Sequence, residues 1–176
     1  MMSRMRNAIS AKWCAVLLMA TLYSVSAVGQ STVDTAHWKT YRNEKQGFEL
    51  KYPATWVVNQ AVTQGPELIT ISDPHASGQS KGVLTIAIQK NQNPSKLPIE
   101  KWFNEQTSKM KATPESQALV TMGGQTAVAM ENTNSFGTQR ATFTSLHGSD
   151  VLSLSYTKQA ELEKTYQAML ASLRVK

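Results

Sequence analysis

The chain has 176 residues, 41% of them hydrophobic and 17% charged, which is typical of one globular domain of ordinary size. Its formal net charge is +6, but the basic residues are scattered, whereas nucleic-acid binding usually shows a dense basic stripe. Nucleic acid is therefore not an expected partner. The single cysteine excludes an intramolecular disulfide, so a packed core must stabilise the fold.

The N-terminus has the three-part pattern of a secretory signal peptide. Arg4, Arg6 and Lys12 precede an apolar run at 13–23, and small residues follow at 24–29. The apolar run has about half of the ~20 residues that span a bilayer, so we expect cleavage rather than a stable membrane anchor. We place the cleavage after residue 29, with residue 27 as the competing site. The protein is thus predicted to be exported, either to the periplasm or out of the cell.

Removal of this signal peptide, 1–29, would leave a flexible lead-in at 30–37 and one domain at 38–176. Three of the 18 basic residues and none of the 12 acidic residues lie in the signal, so the net charge falls to +3. Cys14 also lies in the signal. The mature protein is therefore predicted to have no thiol nucleophile and no thiolate metal ligand.

Residues 47–56 give the clearest strand signal in the chain. Within 48–52, apolar and charged side chains alternate, as in a strand with one buried face. Pro53 has no backbone N–H and should end the pairing, and Trp56 should turn back towards the core. We therefore predict a strand at 48–52 and a core anchor at Trp56.

Further short strands are predicted on either side of this one. They are expected at 38–41, 56–59 and 67–72, the last of them ending at a turn-rich loop, 73–82. Residues 83–89 are apolar on both faces, as in a strand that is covered on both sides of a sheet. We therefore expect helices to lie across this sheet.

Two helices are predicted from apolar stripes at helical spacing. One stripe runs through 99–110, with Pro98 suited to the first helical position. The other runs through 162–173, with Thr157 as a plausible N-cap. Both stripes are interpreted as facing the core.

Between and after these helices the pattern returns to the period of a strand. Residues 116–121 and 125–131 flank a Gly-Gly turn, which suits a hairpin because glycine reaches positive φ without strain. Residues 140–146 and 151–156 form a further predicted hairpin. Consecutive hairpins predict an α+β fold with a mainly antiparallel sheet, a mid-chain helix and a C-terminal helix.

This order of elements resembles the PsbP-like family, which includes the extrinsic P subunit of photosystem II and many exported bacterial proteins. The residues that carry the resemblance are Gly47, Phe48, Tyr52, Pro53, Trp56, Gly123, Gly124, Gln125, Thr126, Ala127, Ser172 and Leu173. The resemblance implies an α-β-α sandwich around a twisted antiparallel sheet, and a non-catalytic accessory or binding role. It carries over no functional residue, so we expect a generic exported member of the family.

Two pairs of loop residues are candidate metal ligands: Asp73 with His75, and His147 with Asp150. Neither pair has the spacing of a local site, so a zinc or manganese ion would have to bridge the two loops. The alternative interpretation is that both aspartates bond turn backbone and both histidines are exposed loop residues.

The sequence offers less evidence for a catalytic site than for a metal site. Ser80 lies in a Gly-x-Ser-x-Gly sequence, but no strand directly precedes it, and Ser149 is another loop serine. We therefore predict an exported, monomeric, non-catalytic domain that binds or assembles with another envelope or extracellular protein. A metal-binding or small-ligand-binding protein is the first alternative, and a hydrolase is the second.

Overall fold

The computed structural model describes residues 33–61, 65–77 and 82–176, which belong to one compact unit. The predicted signal peptide lies outside these residues. The elements follow in the chain order β1 (Lys39–Asn43), β2 (Phe48–Tyr52), β3 (Val57–Ala61), β4 (Glu67–Ser72), β5 (Val83–Gln89), α1 (Ile99–Lys109), β6 (Ser116–Met122), β7 (Gln125–Asn134), β8 (Gly137–Ser145), β9 (Val151–Thr157), α2 (Glu163–Ser172) and β10 (Arg174–Val175).

The strands form two antiparallel sheets. The small sheet has the order β1-β2-β10, and the large sheet has the order β3-β4-β5-β9-β8-β7-β6. The predicted α+β class, with two helices and a mainly antiparallel arrangement, is confirmed. The sequence pattern predicted one sheet, however, and the small sheet is a correction. Its strand β10 has only two residues, which are too few to show alternation, although Val175 pairs with Phe48 in the structure.

The predicted strand at 48–52 is confirmed as β2. Trp56 is buried, and its ring meets Tyr166 of α2 edge-on, with ring centroids 5.9 Å apart. The Trp56 N–H donates to the Pro53 carbonyl at 3.0 Å, so the chain turns between β2 and β3. The tryptophan is therefore a core anchor that lies just before β3 rather than inside it.

β5 is a central strand of the large sheet, but only one of its faces is fully buried. Leu84, Ile86 and Ile88 are inaccessible to solvent, whereas Thr85 and Ala87 on the other face are half-buried. The expectation of cover on both faces is thus wrong for β5, because α1 packs against β7 and β8 instead.

α2 begins later than the sequence predicted. Thr157 is the last residue of β9, and the helix starts at Glu163 without a side-chain cap. Tyr166, Met169 and Leu170 are buried, as the apolar stripe indicated. At the other end of the helix, Ser172 Oγ accepts a hydrogen bond from the backbone N–H of the β2 residue Lys51 at 2.8 Å, which ties α2 to the small sheet.

Two apolar clusters lie on opposite faces of the large sheet. Ala127 belongs to the cluster that contains Tyr166 of α2, and the adjacent Val128 belongs to the cluster that contains Trp102 and Phe103 of α1. Neighbouring side chains of a strand point to opposite faces, so the two clusters are separated by the sheet. No helix among the described residues is long and apolar enough to cross a membrane.

Candidate binding groove

The N-terminal end of α1 is held by polar contacts to the loop before it. Asn93 is buried and brackets Leu97, since its Nδ2 donates to the Leu97 carbonyl at 2.8 Å and its Oδ1 accepts from the Leu97 N–H at 2.9 Å. The indole Nε1 of Trp102 donates to the Gln92 carbonyl at 2.8 Å. These bonds satisfy buried polar groups and fix the start of α1 over the large sheet.

Aromatic side chains then pack α1 onto the sheet. The ring centroid of Phe143, on β8, lies 6.1 Å from that of Trp102 and 5.3 Å from that of Phe103. Both distances fall in the range of favourable aromatic pairs. The other buried residues of this cluster are Ile99, Val128 and Val151. The first half of α1 is therefore firmly seated.

A groove of about 370 Å³ opens beside this cluster, along the C-terminal half of α1. Its volume lies within the range of small-ligand sites. None of the described residues that line it is charged, so we call it the neutral groove. Its main lining residues are Gln89, Gln92, Trp102, Phe103, Gln106, Met110, Pro114, Met130, Asn132 and Phe143.

Met110 corrects one part of the predicted helical stripe. The spacing placed this residue in the core, but it is the C-cap of α1 and is 68% exposed. Gln106, one turn earlier, is only half-buried. The end of the stripe therefore lines an open groove instead of filling the core.

Carboxamide groups supply much of the hydrogen-bonding capacity of the neutral groove. Gln89 Nε2 donates to Ser153 Oγ at 3.4 Å, and Asn132 Oδ1 accepts from the Glu115 N–H at 3.1 Å. The Gln106 side chain makes no hydrogen bond to any described residue. Because an amide both donates and accepts, the groove can hold a neutral polar group beside an apolar one. The described lining offers no titratable side chain for proton transfer.

The structure does not bring the four candidate metal ligands together. Asp73 and His75 follow the end of β4 that pairs with Val83, whereas His147 and Asp150 precede Val151, which pairs with Gln89. These are opposite ends of β5, and a seven-residue strand spans about 20 Å. A single ion cannot bridge the two loops across that distance.

Each aspartate instead bonds backbone, as the alternative interpretation expected. Asp73 Oδ1 accepts from the His75 N–H at 2.9 Å, and Asp150 Oδ1 accepts from the Asn91 N–H at 2.8 Å. Both histidines are exposed. In the described part of the chain, no group of three or more His, Cys, Asp or Glu side chains could hold an ion. Metal binding by one loop alone stays a prediction.

Of the two candidate serines, Ser80 lies outside the described residues, whereas Ser149 lies in the turn between β8 and β9. The Ser149 hydroxyl donates to Asn91 Oδ1 at 2.9 Å, and its backbone carbonyl accepts from the Asn93 N–H at 2.8 Å. Ser149 thus joins two loops, and its proton is directed to an amide oxygen instead of a histidine.

A polar cluster that the sequence pattern did not predict lies on the α2 side of the large sheet. The Tyr156 hydroxyl donates to Glu163 Oε1 at 2.9 Å and accepts from Gln167 Nε2 at 2.8 Å. Burial raises the pKa of Tyr156 well above its ordinary value, and the Glu163 carboxylate adds to the rise. Arg140 lies directly opposite Tyr156 and pairs with Glu131 at 3.2 Å. Strand register, rather than sequence spacing, brings these groups together, so no local motif predicts the cluster.

The sequence matches no protein-family model and no curated protein. Among solved structures, the solution structure of the cyanobacterial PsbP protein CyanoP from Synechocystis matches 88% of this chain and 99% of its own chain, at 13% identity and a TM-score of 0.53. The chain has a PsbP-like fold. A crystal structure from Bacteroides thetaiotaomicron matches 78% of this chain and 48% of its own chain, at 17% identity and a TM-score of 0.51.

The PsbP-like fold confirms the resemblance that residues 47–56 and the order of elements predicted. Identities of 13% and 17% show the fold alone, so they assign no residue of the neutral groove to a function. The function must therefore be argued from the chemistry of this chain's own side chains.

Proposed function

We propose that the protein is an exported, non-catalytic binding domain whose neutral groove takes an uncharged side chain of another envelope or extracellular protein. The observation that carries the proposal is the groove itself. It places an apolar wall next to the amide of Gln106, which bonds no described residue, and no described lining residue is titratable. The signal-peptide pattern supports export. Cell fractionation with and without residues 1–29 would test that part, and a protein retained in the cytoplasm would contradict it.

The chemistry of the lining restricts the bound group. A charged side chain would lose its hydration without gaining an opposite charge, which is unfavourable. An apolar or aromatic side chain would contact Trp102, Phe143 and the flexible thioether of Met110, which adapts to different shapes. Tryptophan is also one of the residues that most often dominates binding energy at interfaces.

The proposal includes a three-layer α-β-α sandwich, in which α1 and the neutral groove lie on one side of the large sheet. The apolar clusters on opposite faces of the sheet support it. Nuclear Overhauser contacts would test the layers. We expect contacts between Phe103 and Phe143 on one side and between Tyr156 and Tyr166 on the other, and the loss of either set would contradict the arrangement.

Photo-crosslinking in cells tests the groove directly. A photoreactive phenylalanine analogue is placed at position 106 in the groove, or at Lys101, an exposed position of α1 that does not line it. We expect a defined cross-linked protein from position 106 and none from position 101. Met110→Lys should suppress the product, because it places a charge in the groove. No product from position 106, or equal products from both positions, would contradict the proposal.

Binding of a small neutral molecule is a second candidate function, favoured by the volume of the groove. Trp102 is a built-in fluorescent reporter, since it is one of the residues that line the groove. N-acetylleucine amide and N-acetylphenylalanine amide serve as probes. If the site takes small molecules, they should change the tryptophan emission of the wild type but not of Trp102→Phe. The same null response in both proteins would remove this candidate and leave the protein-binding proposal untouched.

A further inference from the structure

β6 is an edge of the large sheet and pairs only with β7 in the described chain. The pairing is regular from Ser116 opposite Glu131 to Met122 opposite Gln125, with no bulge. All seven residues of β6 are uncharged, and none is proline. Edge strands of soluble proteins usually carry charges, prolines or bulges that block further pairing. β6 has none of these protections.

The small sheet shows how this chain protects another edge. Its edge strand β1 carries Lys39 and Arg42, and Arg42 forms an ion pair with Glu49 at 2.9 Å. Charges on an edge disfavour the approach of a second strand. The two edges of the large sheet, β6 and β3, both lack charge, and β6 is the longer of them, with seven residues against five.

Leu119 lies at the centre of β6 and is 54% exposed. It points to the α1 side of the sheet, because Gln117, two residues earlier, donates from Nε2 to Asn104 Oδ1 of α1 at 3.0 Å. α1 packs mainly against β7 and β8, and beyond its contact with Gln117 it leaves Leu119 more than half exposed. An exposed leucine at the middle of an unprotected edge favours a second strand beside it.

We propose that β6 pairs antiparallel with β6 of a second copy of this chain, about a two-fold axis at Leu119. The sequence of the strand is self-complementary in this register. Leu119 meets Leu119, Ala118 meets Val120, Gln117 meets Thr121, and Ser116 meets Met122. No pair sets like charges against each other, and the leucines shield one another because directly opposed Cβ atoms lie about 5 Å apart.

The two-fold register is the one that an isologous contact requires, since every pair except the Leu119 pair on the axis then occurs twice by symmetry. Each copy supplies one seven-residue strand, fewer than the roughly 20–30 residues a side of a standard interface, so the dimer should dissociate on dilution. No residue of the neutral groove takes part. The pairing therefore goes beyond the proposed function, and either can fail without the other.

Sedimentation velocity over a range of concentrations tests the pairing with charge variants. Leu119→Lys and Leu119→Glu should each weaken association at least about tenfold, because like charges then meet at the axis. Their equimolar mixture should associate again, since opposite charges then meet. Val57→Lys is the matched control, because Val57 is an exposed residue on β3, the uncharged edge at the other end of the same sheet.

Three outcomes would overturn the proposal. The first is a wild type that stays monomeric up to about 1 mM, as the sequence led us to expect. The second is association of the two Leu119 variants as strong as that of the wild type, and the third is a mixture of them that stays monomeric. Thermal midpoints should be unchanged in all variants, since the substituted side chains are exposed, and a large loss would show that unfolding rather than pairing was measured.

Disulfide trapping fixes the register. In a Cys14→Ser background, oxidised glutathione should link Leu119→Cys chains, because directly opposed strand residues meet the Cα separation of a disulfide. Gln117→Cys is the control, since that residue faces Thr121 of the copy. A link through position 117 and none through position 119 would place the axis elsewhere and overturn this register.

Discussion

The rings of Tyr156 and Tyr166 are stacked, with centroids 4.2 Å apart and planes 21° from parallel. Tyr156 comes from the central strand β9, and Tyr166 comes from α2. Trp56 meets Tyr166 from another side, which links the turn after β2 to the same contact. This stack joins α2 to the large sheet through β9.

Alkaline pH should destabilise the fold through this stack. Burial raises the pKa of Tyr166 from 10.0 to about 12, and it raises the pKa of Tyr156 as well. The folded state therefore favours the neutral phenols. Their contribution is complete below pH 10 and is lost as the pH rises towards 12. The urea midpoint should fall over this window. A variant with both Tyr156→Phe and Tyr166→Phe should show a smaller fall, and an equal fall would contradict the assignment.

Replacement of Trp56 should cost stability and function together. Trp56→Ala leaves a cavity against Tyr166 and should lower the free energy of unfolding by about 3–5 kcal/mol, measured by urea denaturation. Val57→Ala, an exposed neighbour, should change it by less than about 0.5 kcal/mol. Loss of cross-linking from position 106 at full stability would show that Trp56 acts beyond its structural role.

Local patterns predicted the elements whose ends are marked by turns. β4 and β5 have the bounds that alternation and flanking turn residues indicated, and α1 follows its apolar stripe. α2 was displaced because Thr157 has the chemistry of an N-cap but pairs with Gln139 as a strand residue. The pairing with a strand residue distant in sequence places Thr157 in β9, and spacing along the chain does not show that pairing.

The candidate site was harder to predict than the fold. Trp102 and Phe103 were correctly interpreted as core residues, but the neutral groove depends on where α1 leaves the sheet after them. The placement of the candidate metal ligands was hidden from the sequence for a related reason. Asp73 and Asp150 follow similar turn patterns, and only the strand register shows that they lie at opposite ends of β5.

Gly47 offers a test of loop packing against the β8–β9 turn. Its φ is +65°, and an added Cβ would lie 2.5 Å from Nε2 of His147. Gly47→Ala should therefore cost about 1–2 kcal/mol for the backbone conformation, plus a smaller cost for displacing the exposed imidazole. Gly124→Ala, at φ +79° with open space around the Cβ, should show the first cost only.

Urea denaturation in a His147→Ala background separates the two costs. The difference between Gly47→Ala and Gly124→Ala should disappear there, because the imidazole that crowds position 47 is absent. An undiminished difference would mean that the histidine is not what restricts position 47.

Metal titration separates the two predicted loops. If zinc or manganese raises the thermal midpoint, His75→Ala and His147→Ala should each remove their own share of the rise, because the loops lie about 20 Å apart along β5. The double variant should then lose the sum of the two shares, as expected for distant sites. If either single substitution abolished the whole rise, both loops would have to hold one ion, and the strand register of the large sheet would be incompatible with the result.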